Sequence, residues 1–252
     1  MLPLAGFDAR VGTLPAAAAA ARGVVVASAV LAFGYLLNAV ADRGSDRPGK
    51  NPFAAAGAPR GAGAVAAGLA AAALVASAWA PPVARAATAV SLASGVVYSV
   101  GPRLKRYPLL GTLANVTNFA PLLWVGVAAG AQPPGLRAVA AGFVCLLLQN
   151  QLLHEAADRQ EDRAGHVRTT VLLLGEGRSA LVASLLGAAL LAAVRTARAF
   201  GAVAGPLALA YVVAFPLALA LRGADAAAMN RARAAHRACS VLTGGLLFAL
   251  LR

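Results

Sequence analysis

The chain has 252 residues, of which 60% are hydrophobic and only 12% are charged, and its mean hydropathy is +0.73. That balance is too apolar for a soluble domain of this length, so we predict an all-α, polytopic bundle of membrane-spanning helices. The net charge of +13 does not indicate a nucleic-acid partner, because the Lys and Arg residues are scattered between apolar runs.

Apolar runs of about 17 to 25 residues, long enough to cross roughly 30 Å of hydrocarbon as helix, predict eight spans. In chain order they cover residues 16–39, 62–83, 84–101, 109–130, 136–155, 170–194, 199–221 and 235–251. The N-terminal residues lack the basic region and cleavage site of a signal peptide, so the first span is expected to be retained. Cys145 and Cys239 stand singly in apolar runs and are interpreted as packing residues. We expect one integral-membrane domain over residues 1–252.

Loop charges predict the orientation of this bundle. With eight spans, one side holds the segments near 40–61, 102–108, 156–178 and 222–234, and fifteen of the twenty-two basic residues lie in or beside them. The positive-inside rule therefore predicts that these segments face the cytoplasm. Eight of the nine acidic residues lie on the same side, although acids contribute little to that rule. Carboxylates are therefore expected to serve a function at this face.

The first acidic segment follows the first span in "LNAVADRGSDRPGKNP". Asn38, Asp42 and Asp46 stand at four-residue intervals, which places them on one face of a helix if helix continues that far. The second segment, "HEAADRQEDRAGHVRTT", ends the fifth span with Glu155 and two aspartates at i+3 and i+7, again on one face. A zinc site of the HExxH type is not predicted there, because an aspartate stands where the second histidine is needed.

Stacked carboxylates at a membrane boundary repel one another unless cations neutralise them. Magnesium suits such oxygen ligands and is usually held by one or two carboxylates together with waters and substrate phosphates. The two segments therefore predict a phosphorylated ligand bridged by Mg²⁺ between two helices. Between them, "YSVGPRLKRYP" supplies Arg103, Lys105 and Arg106, which could clamp phosphate oxygens. The simpler alternatives are solvated helix ends and a basic anchor on the cytoplasmic side.

These segments resemble the UbiA superfamily of intramembrane prenyltransferases. That family carries NDxxDxxxD after one helix, a YS…RLK segment after a middle helix, and DxxxD preceded by another acid after a later helix. The matching stretches here are "NAVADRGSD", "YSVGPRLKRYPLLGTLAN" and "EAADRQEDRAGHVRTTVLLLG", and the resemblance covers residues 20–250. Ala39 replaces the first aspartate of the family motif, and the family usually has nine helices where eight spans are counted here.

The resemblance implies a polyprenyl diphosphate donor, a small-molecule acceptor, membrane lipid around the bundle and a Mg²⁺ cofactor. It implies transfer of the prenyl group to an aromatic, quinone-precursor or lipid-like acceptor, in the inner membrane, with the site facing the cytoplasm. The implied metal ligands are Asp42, Asp46, Asp158 and Asp162. The implied catalytic residues are Asp42, Asp158, Arg103 and Lys105. The implied substrate-binding residues are Asn38, Asp46, Lys50, Tyr98, Glu155, Asp162 and Arg168.

Two alternatives stay open from the sequence. Intramolecular capture of the prenyl cation would make the chain a terpene cyclase of the same superfamily. A cation transporter is less favoured, because transport sites tend to lie near the bilayer midplane, whereas these acids stand at helix ends on one face. Carboxylate repulsion also predicts that Asp42→Asn leaves the protein folded and even raises its stability.

Overall fold

The computed structural model describes residues 14–46, 50–125, 136–196 and 227–238, and no strand occurs in these ranges. The prediction of an all-α chain is confirmed. The helices are α1 Leu14–Asp42, α2 Phe53–Ala56, α3 Ala62–Ser77, α4 Pro82–Ser99, α5 Leu110–Phe119, α6 Leu122–Val125, α7 Leu136–Ala164, α8 Thr170–Leu174, α9 Glu176–Thr196 and α10 at 227–238. A short 3-10 turn, Leu104–Arg106, lies between α4 and α5.

Helices α1 and α7 each have 29 residues, which corresponds to roughly 43 Å of helix. Both are therefore longer than the hydrocarbon core of a bilayer is thick, and we expect their charged carboxyl ends to be the parts that extend beyond it. Within the described residues, Ala21–Asp42 is the one helix that is long and apolar enough to cross a membrane by composition alone, and Ala62–Ser77 is a shorter apolar helix.

Two predicted spans are interrupted rather than continuous. The span predicted over 109–130 breaks between α5 and α6, where Pro121 lacks the N–H that a continuing helix needs. The span predicted over 170–194 breaks at Gly175, whose φ of 77° separates α8 from α9. The span predicted at 199–221 lies outside the described residues, and only 235–238 of the last span lie inside them.

The helices pack into two neighbouring apolar cores. In the first, α1 packs against α3 and α4, with Val26, Val30 and Phe33 of α1 almost fully buried. In the second, α7 packs against α8 and α9 around Leu152 and Leu153. Contacts of α5 with α4 and with α7 join the two halves.

The outer surface of the bundle exposes large apolar side chains that a soluble protein would bury. Val75 of α3 is 58% exposed, and Leu181 and Leu185 of α9 are 59% and 61% exposed. Because these side chains lie on helices that already bury another face, lipid is the environment that suits them. At one end of this bundle the carboxyl ends of α1, α4 and α7 come together, and the predicted acidic segments lie there.

Candidate active site

Asp42, the last residue of α1, binds two cations from the loop that follows α4. Arg103 Nη2 donates to Asp42 Oδ1 at 3.0 Å, and Lys105 Nζ donates to Asp42 Oδ2. Lys105 Nζ also donates to Asn38 Oδ1 at 2.9 Å, one helical turn earlier on α1. The structure thus brings four of the predicted site residues into one polar cluster.

Lys105 is the most enclosed cation of this cluster. Burial is the largest influence on the pKa of its ammonium group and lowers it, while attraction to Asp42 opposes that shift. Its Nζ lies 5.9 Å from the ring centroid of Tyr98, at a distance where the ring face attracts a cation. Ser99 donates from the same end of α4 to Asn38 Oδ1 at 3.3 Å. Helix α4 therefore supports the cluster from a third side.

The loop between α4 and α5 reaches Asp42 through an unusual backbone. Arg103 and Leu109 have φ values of 50° and 61°, in the left-handed region that disfavours residues other than glycine, and Gly101 has a φ of 60°. At Gly111 an added Cβ would lie 2.9 Å from the Lys105 Cα atom, so a larger residue would push the loop away from α5. The strain at Arg103 is held in place by its ion pair with Asp42.

Asp46 lies one turn beyond the end of α1, and its N–H donates to the Asp42 carbonyl at 2.9 Å. Its position depends on Asn51, which is buried and was not predicted as a site residue. Asn51 Nδ2 donates to Asp46 Oδ2 at 3.1 Å and to the Ala39 carbonyl at 2.8 Å, and Asn51 Oδ1 accepts from Phe53 N. The sequence signal is "GKNPF", in which a buried amide after an acidic helix end can satisfy free carbonyls.

Lys50 joins the two acidic segments. Its Nζ donates to Asp158 Oδ2 at 2.8 Å and to Glu161 Oε2 at 2.9 Å, and it lies 3.8 Å from Asp46 Oδ1. Burial alone would lower the pKa of Lys50, but the hydrogen bonds and attraction of Asp158 and Glu161 outweigh it and raise that pKa. Residues more than a hundred positions apart therefore meet around one ammonium group.

The surroundings of Asp162 on α7 disfavour its ionised form. Burial, followed by repulsion from Asp158, raises the pKa of Asp162 to about 7, and Lys50 only partly offsets these effects. His154 Nδ1 lies 3.3 Å from Asp158 Oδ2, one turn before it. A divalent cation placed near Asp158 and Asp162 would relieve this repulsion.

Glu155, predicted as a substrate ligand, is buried inside the protein with both carboxylate oxygens engaged. Oε1 accepts from Thr112 Oγ1 at 2.9 Å and from Gln151 Nε2 at 3.2 Å, and Oε2 accepts from Val171 N at 3.0 Å. The hydroxyls of Thr112 and Thr170 lie 2.6 Å apart and extend this network. The carboxylate thus connects α5, α7 and α8 rather than facing the Lys50 cluster.

Arg168 is exposed in the segment between α7 and α8 and does not join either cluster in the described structure. Among the described residues, no three His, Cys, Asp or Glu side chains are arranged to hold a metal ion by themselves. The carboxylates instead form two groups, one at the end of α1 and one at the end of α7, with Lys50 between them. Such a divided site needs a ligand that bridges it.

Comparison with known proteins decides the family. The model of the UbiA prenyltransferase family matches residues 4–248. The chain belongs to this family. It is therefore an integral membrane enzyme of the UbiA type, and the resemblance carried by its three motifs is confirmed. A comparison with curated proteins found no match.

Solved structures agree with this fold. A UbiA homolog from Archaeoglobus fulgidus bound to GPP and Mg²⁺ has a TM-score of 0.78 at 20% identity, and the alignment covers 99% of this chain and 94% of that one. A UbiA homolog from Aeropyrum pernix K1 has a TM-score of 0.70 at 20% identity, covering 95% and 94%. A digeranylgeranylglyceryl phosphate synthase has a TM-score of 0.71 at 14% identity, covering 92% and 85%. The chain thus shares its helical architecture with these structures.

Proposed function

We propose that the chain, as one domain over residues 1–252, transfers a prenyl group from a polyprenyl diphosphate to an acceptor within the membrane. The observation that carries this proposal is the meeting of the α1 and α7 acidic segments around Lys50, with Arg103 and Lys105 beside them. A site for a free cation gains nothing from three adjacent cations, whereas a metal diphosphate gains from both kinds of charge. The mixture of carboxylates and cations therefore favours prenyl transfer over cation transport.

The donor atoms fit Mg²⁺. The candidate ligands Asp42, Asp46, Asp158 and Asp162 offer only carboxylate oxygens, which suit a hard cation. Burial and repulsion from Asp158 raise the pKa of Asp162, so a cation bound at this end of α7 would favour its ionised form. When bound, Mg²⁺ would neutralise the negative charge that develops on the departing diphosphate.

The protein's own residues would bind, orient and shield the reacting groups. The bond between prenyl C1 and the diphosphate oxygen breaks, and the diphosphate departs with the electron pair. Arg103 and Lys105, which donate to Asp42 in this structure, would turn from it and donate hydrogen bonds to the diphosphate oxygens. The acceptor nucleophile then forms its bond to C1 and loses a proton. The apolar faces of the helices keep the prenyl tail away from water.

A binding experiment tests this proposal. A prenyl thiolodiphosphate, which resists ionisation of C1, should raise the melting temperature of the purified protein only when Mg²⁺ is present. Replacing Arg103 and Lys105 together by Gln should greatly weaken that rise, since each charge-assisted contact contributes roughly 1.5–3 kcal/mol. A full rise with Mg²⁺ alone, and none from the analogue, would instead support a cation site.

Product analysis separates transfer from cyclisation. The protein is incubated with a prenyl diphosphate alone, and then with aromatic, quinone-precursor and glycerol-phosphate acceptors. Mass spectrometry of the lipids should show an adduct only when the matching acceptor is present. A cyclic hydrocarbon formed from the diphosphate alone would show a cyclase.

We further propose that the carboxylate end of the bundle faces the cytoplasm of the cell, in the inner membrane. The distribution of basic residues supports this orientation. In a background without the native cysteines, Ser45→Cys reports on this end and Ala80→Cys, in the turn between α3 and α4, reports on the other. An impermeant thiol reagent added to intact cells should label the thiol at position 80 alone. Labelling at position 45 alone would invert the assignment.

A further inference from the structure

Helix α10 lies against the end of α7 that carries the second acidic segment. Met229 of α10 is buried among Leu152, Leu153 and Ala156 of α7, and Ala232 packs against the same group. This contact places α10 beside the active site, although α10 carries none of the three family motifs. In the sequence, the basic residues of α10 indicate only the cytoplasmic side of the membrane. The contact with α7 also gives them a position near the site.

Arg233 lies one turn after Met229, on the face of α10 that packs against α7. Burial and the neighbouring Arg237 lower the pKa of the Arg233 guanidinium, and Asp158 opposes that shift. Tyr35 of α1 and Tyr98 of α4 oppose the shift in that pKa more weakly than Asp158 does. The guanidinium therefore lies close enough to the end of α7 for the Asp158 carboxylate to attract it.

The guanidinium of Arg233 is incompletely satisfied there. Its Nε atom is buried and has no hydrogen-bond partner among the described residues. A buried donor without an acceptor is costly, and a guanidinium has five N–H groups to satisfy. The nearby Asp158 cannot satisfy them all, because its Oδ2 already accepts from Lys50. Phosphate oxygens match the planar fork of an arginine better than any single carboxylate oxygen does.

We propose that Arg233 is a binding residue for the diphosphate of the prenyl donor, supplied by α10 from the α7 side of the site. The inference rests on the proposed function, because it requires a diphosphate between the acidic segments. It adds a fourth helix to the site and gives the leaving group a second cation, besides Lys50, on the α7 side. The plainer alternative is that Arg233 is only a counterion for Asp158.

Three variants test the inference, and each is purified in detergent as the full chain. Arg233→Gln removes the charge, Arg233→Lys keeps the charge but loses the fork, and Arg231→Gln is the matched control on the exposed face of the same helix. The probe is a prenyl thiolodiphosphate with Mg²⁺, and the readouts are its Kd and the melting temperature without ligand. Loss of one charge-assisted contact should raise the Kd at least about tenfold in Arg233→Gln. The Kd of Arg233→Lys should lie between those of the wild type and Arg233→Gln, and Arg231→Gln should have the wild-type Kd.

The outcomes separate this inference from the proposed function. If the wild type itself does not bind the analogue with Mg²⁺, the proposed function fails. If the wild type binds and Arg233→Gln binds equally well, the inference alone is overturned, and a lower melting temperature without ligand then identifies Arg233 as a counterion. Equal weakening in Arg231→Gln would also overturn it, by showing a general effect of surface charge. If Arg233→Gln does not fold, Arg233→Lys decides, and wild-type affinity there would refute recognition by the fork.

Discussion

Replacing Asp42 by Asn tests the ion pairs of the site most directly. Carboxylate spacing in the sequence predicts that this change relieves repulsion and raises stability, but the structure predicts the opposite. Asp42 is held between Arg103 and Lys105, and its side chain is only 12% exposed. The neutral variant would leave two cations facing each other without their shared anion.

The magnitude follows from the degree of burial. Removing one partner of a fully buried ion pair costs about 3–5 kcal/mol, whereas an exposed pair contributes about 0–1 kcal/mol. Because the Arg103 and Lys105 side chains are 28% and 15% exposed, we expect a loss of about 2 kcal/mol in the free energy of unfolding. In a chain of this size that corresponds to a decrease of about 4–8 °C in the melting temperature.

The assay is thermal unfolding of the purified protein in detergent without Mg²⁺ or substrate. Asp46→Asn is the matched control, since Asp46 accepts a hydrogen bond from the neutral Asn51 and lies 3.8 Å from Lys50. Asp46→Asn should lower the free energy of unfolding by about 1 kcal/mol. A cycle that combines Asp42→Asn with Lys105→Gln should show a coupling energy of about 0.5–3 kcal/mol. An unchanged or higher melting temperature in Asp42→Asn would refute the ion-pair cluster.

Three further changes probe the neighbouring groups. Glu155→Gln should lower the melting temperature while leaving the Kd of the prenyl analogue unchanged, because Glu155 bonds to α5 and α8; a selective loss of affinity would contradict this. Asn51→Ala should weaken stabilisation by Mg²⁺ and the analogue together, since Asp46 loses its amide partner, and calorimetry of analogue binding measures it. Without metal, the melting temperature should fall as the pH rises from about 4 towards about 8. The pKa of Asp162 is about 7 in the folded protein and 3.8 ordinarily, so its ionisation opposes folding in that window. Asp162→Asn should flatten this slope, and equal slopes in the two proteins would count against it.

Regular spacing made part of the site predictable. Asn38 and Asp42 lie on one face of α1 as their four-residue interval predicts, because α1 continues to Asp42. Asp46 lies near Asp42 for a different reason. Helix α1 has ended there, and hydrogen bonds from Asn51 fix the turn that follows. Hydropathy gave the approximate positions of the long helices in the described ranges, but it averages across single residues and therefore missed the break at Gly175.

Other parts could not be read from the sequence because they depend on distant partners. Spacing places Glu155 with Asp158 on one side of α7, but Thr112 and Val171 decide that Glu155 turns inward. Lys50 was predicted as a substrate ligand, and its bridge to Asp158 across 108 positions required the fold. The sequence does not show that α10 packs against α7, so it indicates for Arg233 only the role of a basic loop residue.

The Lys50 bridge has a kinetic consequence for how the site fills. Its ammonium is tethered within 3 Å of Asp158 and Glu161, so it acts as a competitor at a very high effective concentration against a free ion arriving from solution. A bare divalent cation must displace it without offering it a new partner. A cation already complexed to diphosphate supplies the phosphate oxygens to which Lys50 can transfer. We therefore expect an order of arrival in which the metal and the diphosphate enter together, which would keep the carboxylates from trapping metal while no substrate is present.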